Sequence, residues 1–289
     1  MMKKKDLSYI LLLFVSLNNF AVADVYDDLA KATQGTVSKM TKEEFRYQTN
    51  DGKHRYGFLL NASPILMQSV HIVPNEKLKI SFPIDAYTFG NFVIELTGDN
   101  TNTTAMILTS PSGQVIQPAQ GSGDPKLPVW VELASNHIAF IVPNPKDGDW
   151  TLHITTQNNS KIDGDLIVRA QSSINIQTAR FIYLGGRPGH QGYFPLTGAL
   201  KAGSKQLFEF AINNAKPKSL ELYLVDKQGR ELKKLNGSSF FEDKEQITAD
   251  IEIPVVPFRI RLNGIDKKGK AFQRFVDKIF TLEVSKKNL

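Results

Sequence analysis

The residues able to bind metal or move protons are few and lie apart. Histidines fall at His54, His71, His137, His153 and His190, and there is no cysteine. No two histidines show the H-E-x-x-H or H-x-x-x-H type of spacing that brings imidazoles onto one ion, and no thiol can join them. His153 alternates with Leu152 and Ile154, so it belongs on the face opposite to them. No G-x-S-x-G elbow occurs. Gly121-Ser122-Gly123-Asp124-Pro125 lacks the Lys-Ser/Thr end of a phosphate loop and reads as a turn. Asp147-Gly148-Asp149, Asp163-Gly164-Asp165 and Asp266-Lys267-Lys268-Gly269 raise the question of calcium. None has the spacing of an EF-hand loop, and Asp before Gly is ordinary turn chemistry. No cofactor and no metal is expected. Carboxylates for glycoside hydrolysis meet only in the fold, so spacing neither supports nor removes them.

One segment gathers contact-forming side chains. Leu184-Gly185-Gly186-Arg187-Pro188-Gly189-His190-Gln191-Gly192-Tyr193 places an arginine, a histidine and an aromatic in a glycine-rich run. Such a run reads as exposed and outside a sheet. Arg187, His190 and Tyr193 are therefore the candidate binding residues, with a plain linker as the competing reading.

The elements that must position them are strands. Leu78–Phe82, Trp150–Ile154, Phe208–Phe210, Leu220–Leu224 and Phe258–Leu262 alternate apolar and polar residues; Phe92–Leu96 does so less cleanly. A period of two marks a strand with one buried face. Pro, Gly, Asn and Asp clusters separate these runs, as antiparallel sheets with short loops require. Ile107–Ile116 also resembles Tyr223–Leu232: strand, tight turn closed by glycine, strand. The chain is expected to be all-β, with two tandem β-sandwich domains at 51–172 and 193–289 joined by a Gly-rich connection at 173–192. Residues 24–50 differ. Val25, Leu29 and Ala32 fall at helical spacing, which predicts a short helical segment.

The first residues form a different pattern. Met1-Met2-Lys3-Lys4-Lys5 is followed by the apolar run Tyr9–Leu17 and then by Ala21-Val22-Ala23. A basic start, a short apolar stretch and a small-x-small exit make a secretory signal, 1–23, with cleavage before Asp24. A spanning helix needs about 20 apolar residues; here Asn18 and Asn19 interrupt the run. Export to the periplasm or beyond is expected. Three lysines and one aspartate of the leader account for +2 of the +6 formal charge, which leaves +4 on the mature chain. The lysines are scattered, without the basic face of a nucleic-acid binder. With no disulfide available, stability rests on apolar cores, which 41% hydrophobic residues can supply. N-x-S/T sequons stand at Asn61, Asn102, Asn158 and Asn236 and matter only in a glycosylating pathway.

Several segments resemble a known family. Pro145-Lys146-Asp147-Gly148-Asp149-Trp150-Thr151-Leu152-His153-Ile154 is similar to the P-x-x-G-x-W-x-V-x-V strand that follows the von Willebrand A domain in hemicentin-like proteins. Val168–Ile174 resembles the strand end and Ser-Ser step that come next. Pro257-Phe258-Arg259-Ile260-Arg261-Leu262-Asn263-Gly264-Ile265-Asp266, with Phe272-Gln273-Arg274, resembles the family's ending, and Tyr26–Val37 resembles the last helix and strand of an A domain. The A domain itself and its D-x-S-x-S metal site do not occur here, so metal-dependent ligand binding is not carried over. The resemblance implies two β-sandwich modules, the second immunoglobulin- or fibronectin-like, in an extracellular adhesion setting.

Taken together, these features predict an exported binding or adhesion protein. Its partner would be an extracellular or cell-surface protein or glycan, with self-association through sheet edges as a further option. The competing reading is a secreted hydrolase acting on polysaccharide. Trp150, Leu152 and Ile154 are expected in one core, and Phe258, Ile260 and Leu262 in another.

Overall fold

The computed structural model describes residues 36–37, 62–101, 104–116, 130–134, 137–156, 160–236, 239–241, 246–276, 278–280 and 282. The expected leader, 1–23, lies outside them. So does the expected helical segment 24–50, except Thr36–Val37, which form a two-residue strand.

The described chain is all-β, with strands numbered β1 to β20 in chain order. The first pair of sheets holds β2 (Ala62–Ile72), β10 (Ile162–Ser172), β4 (Thr88–Asp99), β8 (His137–Pro143) and β7 (Trp130–Ala134) in that order. Facing it are β3 (Lys77–Ile84), β9 (Gly148–Thr156), β5 (Thr104–Thr109) and β6 (Val115–Ile116). The second pair holds β12 (Gly192–Pro195), β11 (Ile176–Gly185), β13 (Lys205–Ile212), β17 (Gln246–Glu252) and β16 (Ser239–Phe241). Facing it are β15 (Glu231–Asn236), β14 (Glu221–Val225), β18 (Arg259–Ile265) and β19 (Ala271–Phe275). β1 (Thr36–Val37) pairs with β20 (Lys278–Ile279). All pairings between these strands are antiparallel.

Each sheet pair closes on its own core. Trp150, Leu152 and Ile154 lie in the first with Phe92 and Phe82, and Phe258, Ile260 and Leu262 lie in the second, as their alternation predicts. The Trp150 ring meets Phe92 edge-on at 5.0 Å, and its Nε1 donates to the Lys146 carbonyl at 2.9 Å. β4 alternates poorly because it is buried on both faces: Val93 and Glu95 are as enclosed as Phe92 and Ile94.

The two sheet pairs follow one plan. Strands β4 to β9 are ordered 4-8-7 and 9-5-6; strands β13 to β18 are ordered 13-17-16 and 18-14-15. The segments Ile107–Ile116 and Tyr223–Leu232, similar in sequence, occupy the matching hairpins β5–β6 and β14–β15. Their turns agree bond for bond. Ser110 N–H donates to the Gln114 carbonyl at 2.9 Å and Asp226 N–H to the Arg230 carbonyl at 2.9 Å. The side chains of Ser110 and Asp226 accept from the N–H four residues on. The β18–β19 turn repeats this with Asp266 and Lys270. The closing Gly113, Gly229 and Gly269 have φ of +82°, +79° and +91°, the left-handed geometry that glycine adopts without strain.

The expected connection at 173–192 is corrected by the strands. β11 begins at Ile176, so only Ser173–Asn175 pass between the sheet pairs. Those three residues are held: Ser173 N–H donates to the Tyr87 carbonyl, Asn175 N–H to Asn213 Oδ1, and Asn214 Nδ2 to the Ser173 carbonyl. Glycines in this run serve a hairpin turn within the sheet instead of a break between sheets.

An ionic joint lies beside this crossing. Arg274 and Asp85, each 1% exposed, pair at 2.6 Å. Arg274 Nε donates to the Ile174 carbonyl and Nη1 to that of Gln273. Asp85 also accepts from Ser172 Oγ and Tyr87 N–H. An apolar seam of Met67 and Ile167 against Tyr223, Val225 and Phe275 extends the contact. Ser69 N–H donates to the Lys227 carbonyl at 2.6 Å and Gln273 Nε2 to that of Ile65 at 2.7 Å, covering the outer edge of β2.

Two stability outcomes are expected in urea melts. Trp150→Ala lowers stability by about 3–5 kcal/mol, since it empties a closed aromatic site; a loss below about 1 kcal/mol would mean that the ring is not part of the core. Arg274→Met costs about 3–5 kcal/mol, because Asp85 is left charged and buried. Adding Asp85→Asn to that variant recovers part of the loss; simple additivity of the two costs would show the pair to be uncoupled.

Candidate functional site

The glycine-rich run folds as the hairpin β11–β12. Its base is anchored: Phe181 packs on Phe208 at 5.1 Å and on Phe280 at 5.5 Å, and Leu196 N–H donates to the Phe181 carbonyl. β11 pairs with β13 only as far as Ile182↔Leu207. Beyond it, Tyr183↔Phe194, Leu184↔Tyr193 and Gly185↔Gly192 continue the pairing without a third described strand, so a two-stranded ribbon leaves the sheet.

Both faces of the ribbon are apolar and exposed. Cross-strand partners share a face. Tyr183 and Phe194 occupy one, with rings 6.0 Å apart and 47% and 43% exposed; Leu184 and Tyr193 occupy the other, 58% and 49% exposed. A Cβ at Gly185 would stand 2.8 Å from Cε2 of Tyr183, so the absent side chain lets that ring lie along the strand. Gly186 has φ +108°, and a Cβ there would meet the His190 carbonyl at 2.3 Å. His190 N–H donates to the Arg187 carbonyl at 2.9 Å and closes the turn.

The three expected site residues are thus brought to one hairpin end. Arg187 and His190 are exposed in the turn, and Tyr193 is the second residue of β12 beside it. Tyr183, Leu184 and Phe194 were missed as site residues. Their signal was present as the run Phe181-Ile182-Tyr183-Leu184 and its answer Tyr193-Phe194, apolar at successive positions where a half-buried strand would alternate.

The aspartates flagged for calcium have other uses. Asp147 pairs with Lys270 at 2.9 Å, and that hydrogen bond holds its carboxyl below the usual range. Asp266 accepts from Lys270 N–H and, through Oδ2, from Ala86 N–H. Gly164 is not in a turn: it lies inside β10 opposite Gly98, where a Cβ on either would strike the other strand's backbone. Among the described residues no group of three or more His, Cys, Asp or Glu side chains is placed to hold a metal ion.

One polar cluster needed the fold to assemble. His71 pairs through Nδ1 with Asp163, which Lys161 also meets at 2.7 Å, and these contacts, Lys161 first, hold the Asp163 carboxyl low. Ser69 Oγ donates to Asp165 at 2.6 Å. Serine, histidine and aspartate are the types of a nucleophilic triad, which requires the serine to give its proton to the imidazole. Here Ser69 is turned to a carboxylate instead, on an exposed strand surface. His153 is half-buried on the outer face of β9, opposite Leu152 and Ile154. His54 lies outside the described residues.

Fold and site together define an all-β, sandwich-like protein with a projecting aromatic ribbon. No family model and no curated protein matches the sequence. Among solved structures, the chain is similar to a Bacillus licheniformis lipase, BlEst2, in propeptide form. The TM-score is 0.31 at 12% identity, over 74% of this chain and 43% of that one. It is also similar to a β-glucuronidase from Ruminococcus gnavus, with TM-score 0.22 and 8% identity, over 69% of this chain and 35% of that one. The chain spans less than half of either, and likeness at this level carries no functional argument.

Proposed function

We propose that this is an exported, non-enzymatic binding protein of adhesion type that engages an extracellular or cell-surface ligand. It is built of two tandem β-sandwich domains, the second immunoglobulin-like. The observation that carries the binding role is the β11–β12 ribbon, which exposes large apolar side chains on both faces next to an arginine. Monomeric surfaces seldom gather such residues without an interaction to serve. The repeated strand plan supports two modules. Two of the segments that resemble hemicentin-like proteins, Pro145–Ile154 and Pro257–Asp266, contribute β9 and β18, which hold the same place in the two sheet pairs.

Two measurements test the reading. Mass spectrometry of the exported protein is expected to find Asp24 at its N-terminus; a membrane-bound chain still carrying Met1 would remove the export step. Replacing Arg187, His190 and Tyr193 together by alanine is expected to weaken capture on the target surface by at least about 1–2 kcal/mol, with an unchanged melting curve. Turnover of glycans, esters or peptides that a single Asp or Glu substitution abolishes would replace the binding role by the hydrolase reading.

A further inference from the structure

Resting on the binding role proposed above, we infer that the β11–β12 ribbon takes an anionic polysaccharide whose sugars carry carboxylates. The first support is the shape of the apolar surface. Tyr183 and Phe194 present two tilted rings side by side, and Tyr193 presents a third on the opposite face. The C–H face of a sugar ring is apolar and its rim is polar, which suits a flat aromatic with water around it. A flat protein partner would cover one face of the ribbon and leave the other wet. A flexible chain of sugars can contact both.

The second support is charge. The connections 196–204 and 253–258 meet at the end of the second sheet pair from which the ribbon and its 186–191 turn project. Gly203 N–H donates to the Ile253 carbonyl at 2.8 Å, and Ile253 N–H to that of Ser204 at 2.9 Å. The turn and these connections carry Arg187 and Lys201 and no aspartate or glutamate; Lys205, which opens the next strand, stands opposite Glu252. Loops that carry cations and no carboxylate of their own attract anions. The planar guanidinium fork of Arg187 matches a carboxylate two-to-two.

A bilayer fits less well. The turn Gly186-Arg187-Pro188-Gly189-His190-Gln191 leads the ribbon and holds no large apolar side chain, so insertion would drive its most polar part deepest. Single-stranded nucleic acid shares the pairing of rings with cations and is therefore a necessary competitor.

The test is titration of the exported protein with sodium alginate, neutral dextran, single-stranded DNA and phosphatidylglycerol vesicles. Alginate is expected to bind and dextran not. Tyr183→Leu with Phe194→Leu keeps apolar bulk but removes the rings, and is expected to weaken alginate binding at least tenfold at both low and high salt. Arg187→Gln is expected to weaken it by a similar factor and to reduce the salt dependence. Lys218→Gln makes the same charge change in the Pro217–Ser219 turn, at the other end of β13, and is expected to change nothing. Equal losses for Arg187→Gln and Lys218→Gln, with none on ring removal, would reduce the effect to unspecific charge attraction and overturn the inference. So would tighter binding of DNA or vesicles, or no binding of alginate. In that last case, surface capture that is still lost in the Arg187, His190 and Tyr193 alanine variant would leave the broader binding role in place.

Discussion

The contact between Arg274 and Asp85 is the constraint on which the arrangement of the sheets depends. Two charges taken out of water are costly unless each is fully hydrogen-bonded. Arg274 meets this by spending donors on Asp85 and on the carbonyls of Ile174 and Gln273, and Asp85 by accepting from Ser172 and Tyr87 as well. These partners come from β19, from the end of β10, from the chain crossing between the sheet pairs and from the β3–β4 loop. The geometry that satisfies the ions is therefore also the geometry that fixes one sheet pair against the other. A purely apolar seam such as Met67 and Ile167 against Phe275 would tolerate sliding; directional bonds to a buried guanidinium do not.

Around that joint, local rules suffice. A Ser or Asp that accepts from the N–H four residues on, followed by a glycine in the left-handed region, makes the same turn at three places. Each reverses the chain with a register that keeps alternate residues on the core face. Two copies of one six-strand plan result, each with its own aromatic core.

Sequence reading reached these local features and stopped at the long-range ones. Trp150 and Phe258 could be assigned to cores because their neighbours alternate, and the matching hairpins could be found because turn chemistry is written in four or five adjacent residues. Arg274 and Asp85 are 189 positions apart, and neither is unusual where it stands. The ribbon was misplaced for a different reason. Glycine marks positive φ or close backbone approach, and both a linker and a hairpin turn call for it. What separated them was the unbroken apolar run on either side of the glycines, which marks two strands flanking a turn. The candidate residues Arg187, His190 and Tyr193 were legible because the turn collects them in sequence; the aromatic surface behind them required the register Tyr183↔Phe194.

The same register explains why an open site falls in the second sheet pair and not the first. The edge strands β2 and β12 hold corresponding places, next to β10–β4 and β11–β13. The outer edge of β2 is taken up by the joint, through the Lys227 carbonyl and Gln273. At the ribbon end of β12 no described strand lies beyond its outer edge, and its side chains differ accordingly. Where β2 is covered, Met67 is fully enclosed against the neighbouring sheet pair; where the ribbon projects, Tyr193 and Phe194 are about half exposed. An open edge invites unselective pairing with other strands. Here it is only four residues long and ends at Pro195, which has no N–H to offer. The backbone is thereby made a poor template while the aromatic side chains stay accessible, which separates selective recognition from aggregation on a single short strand.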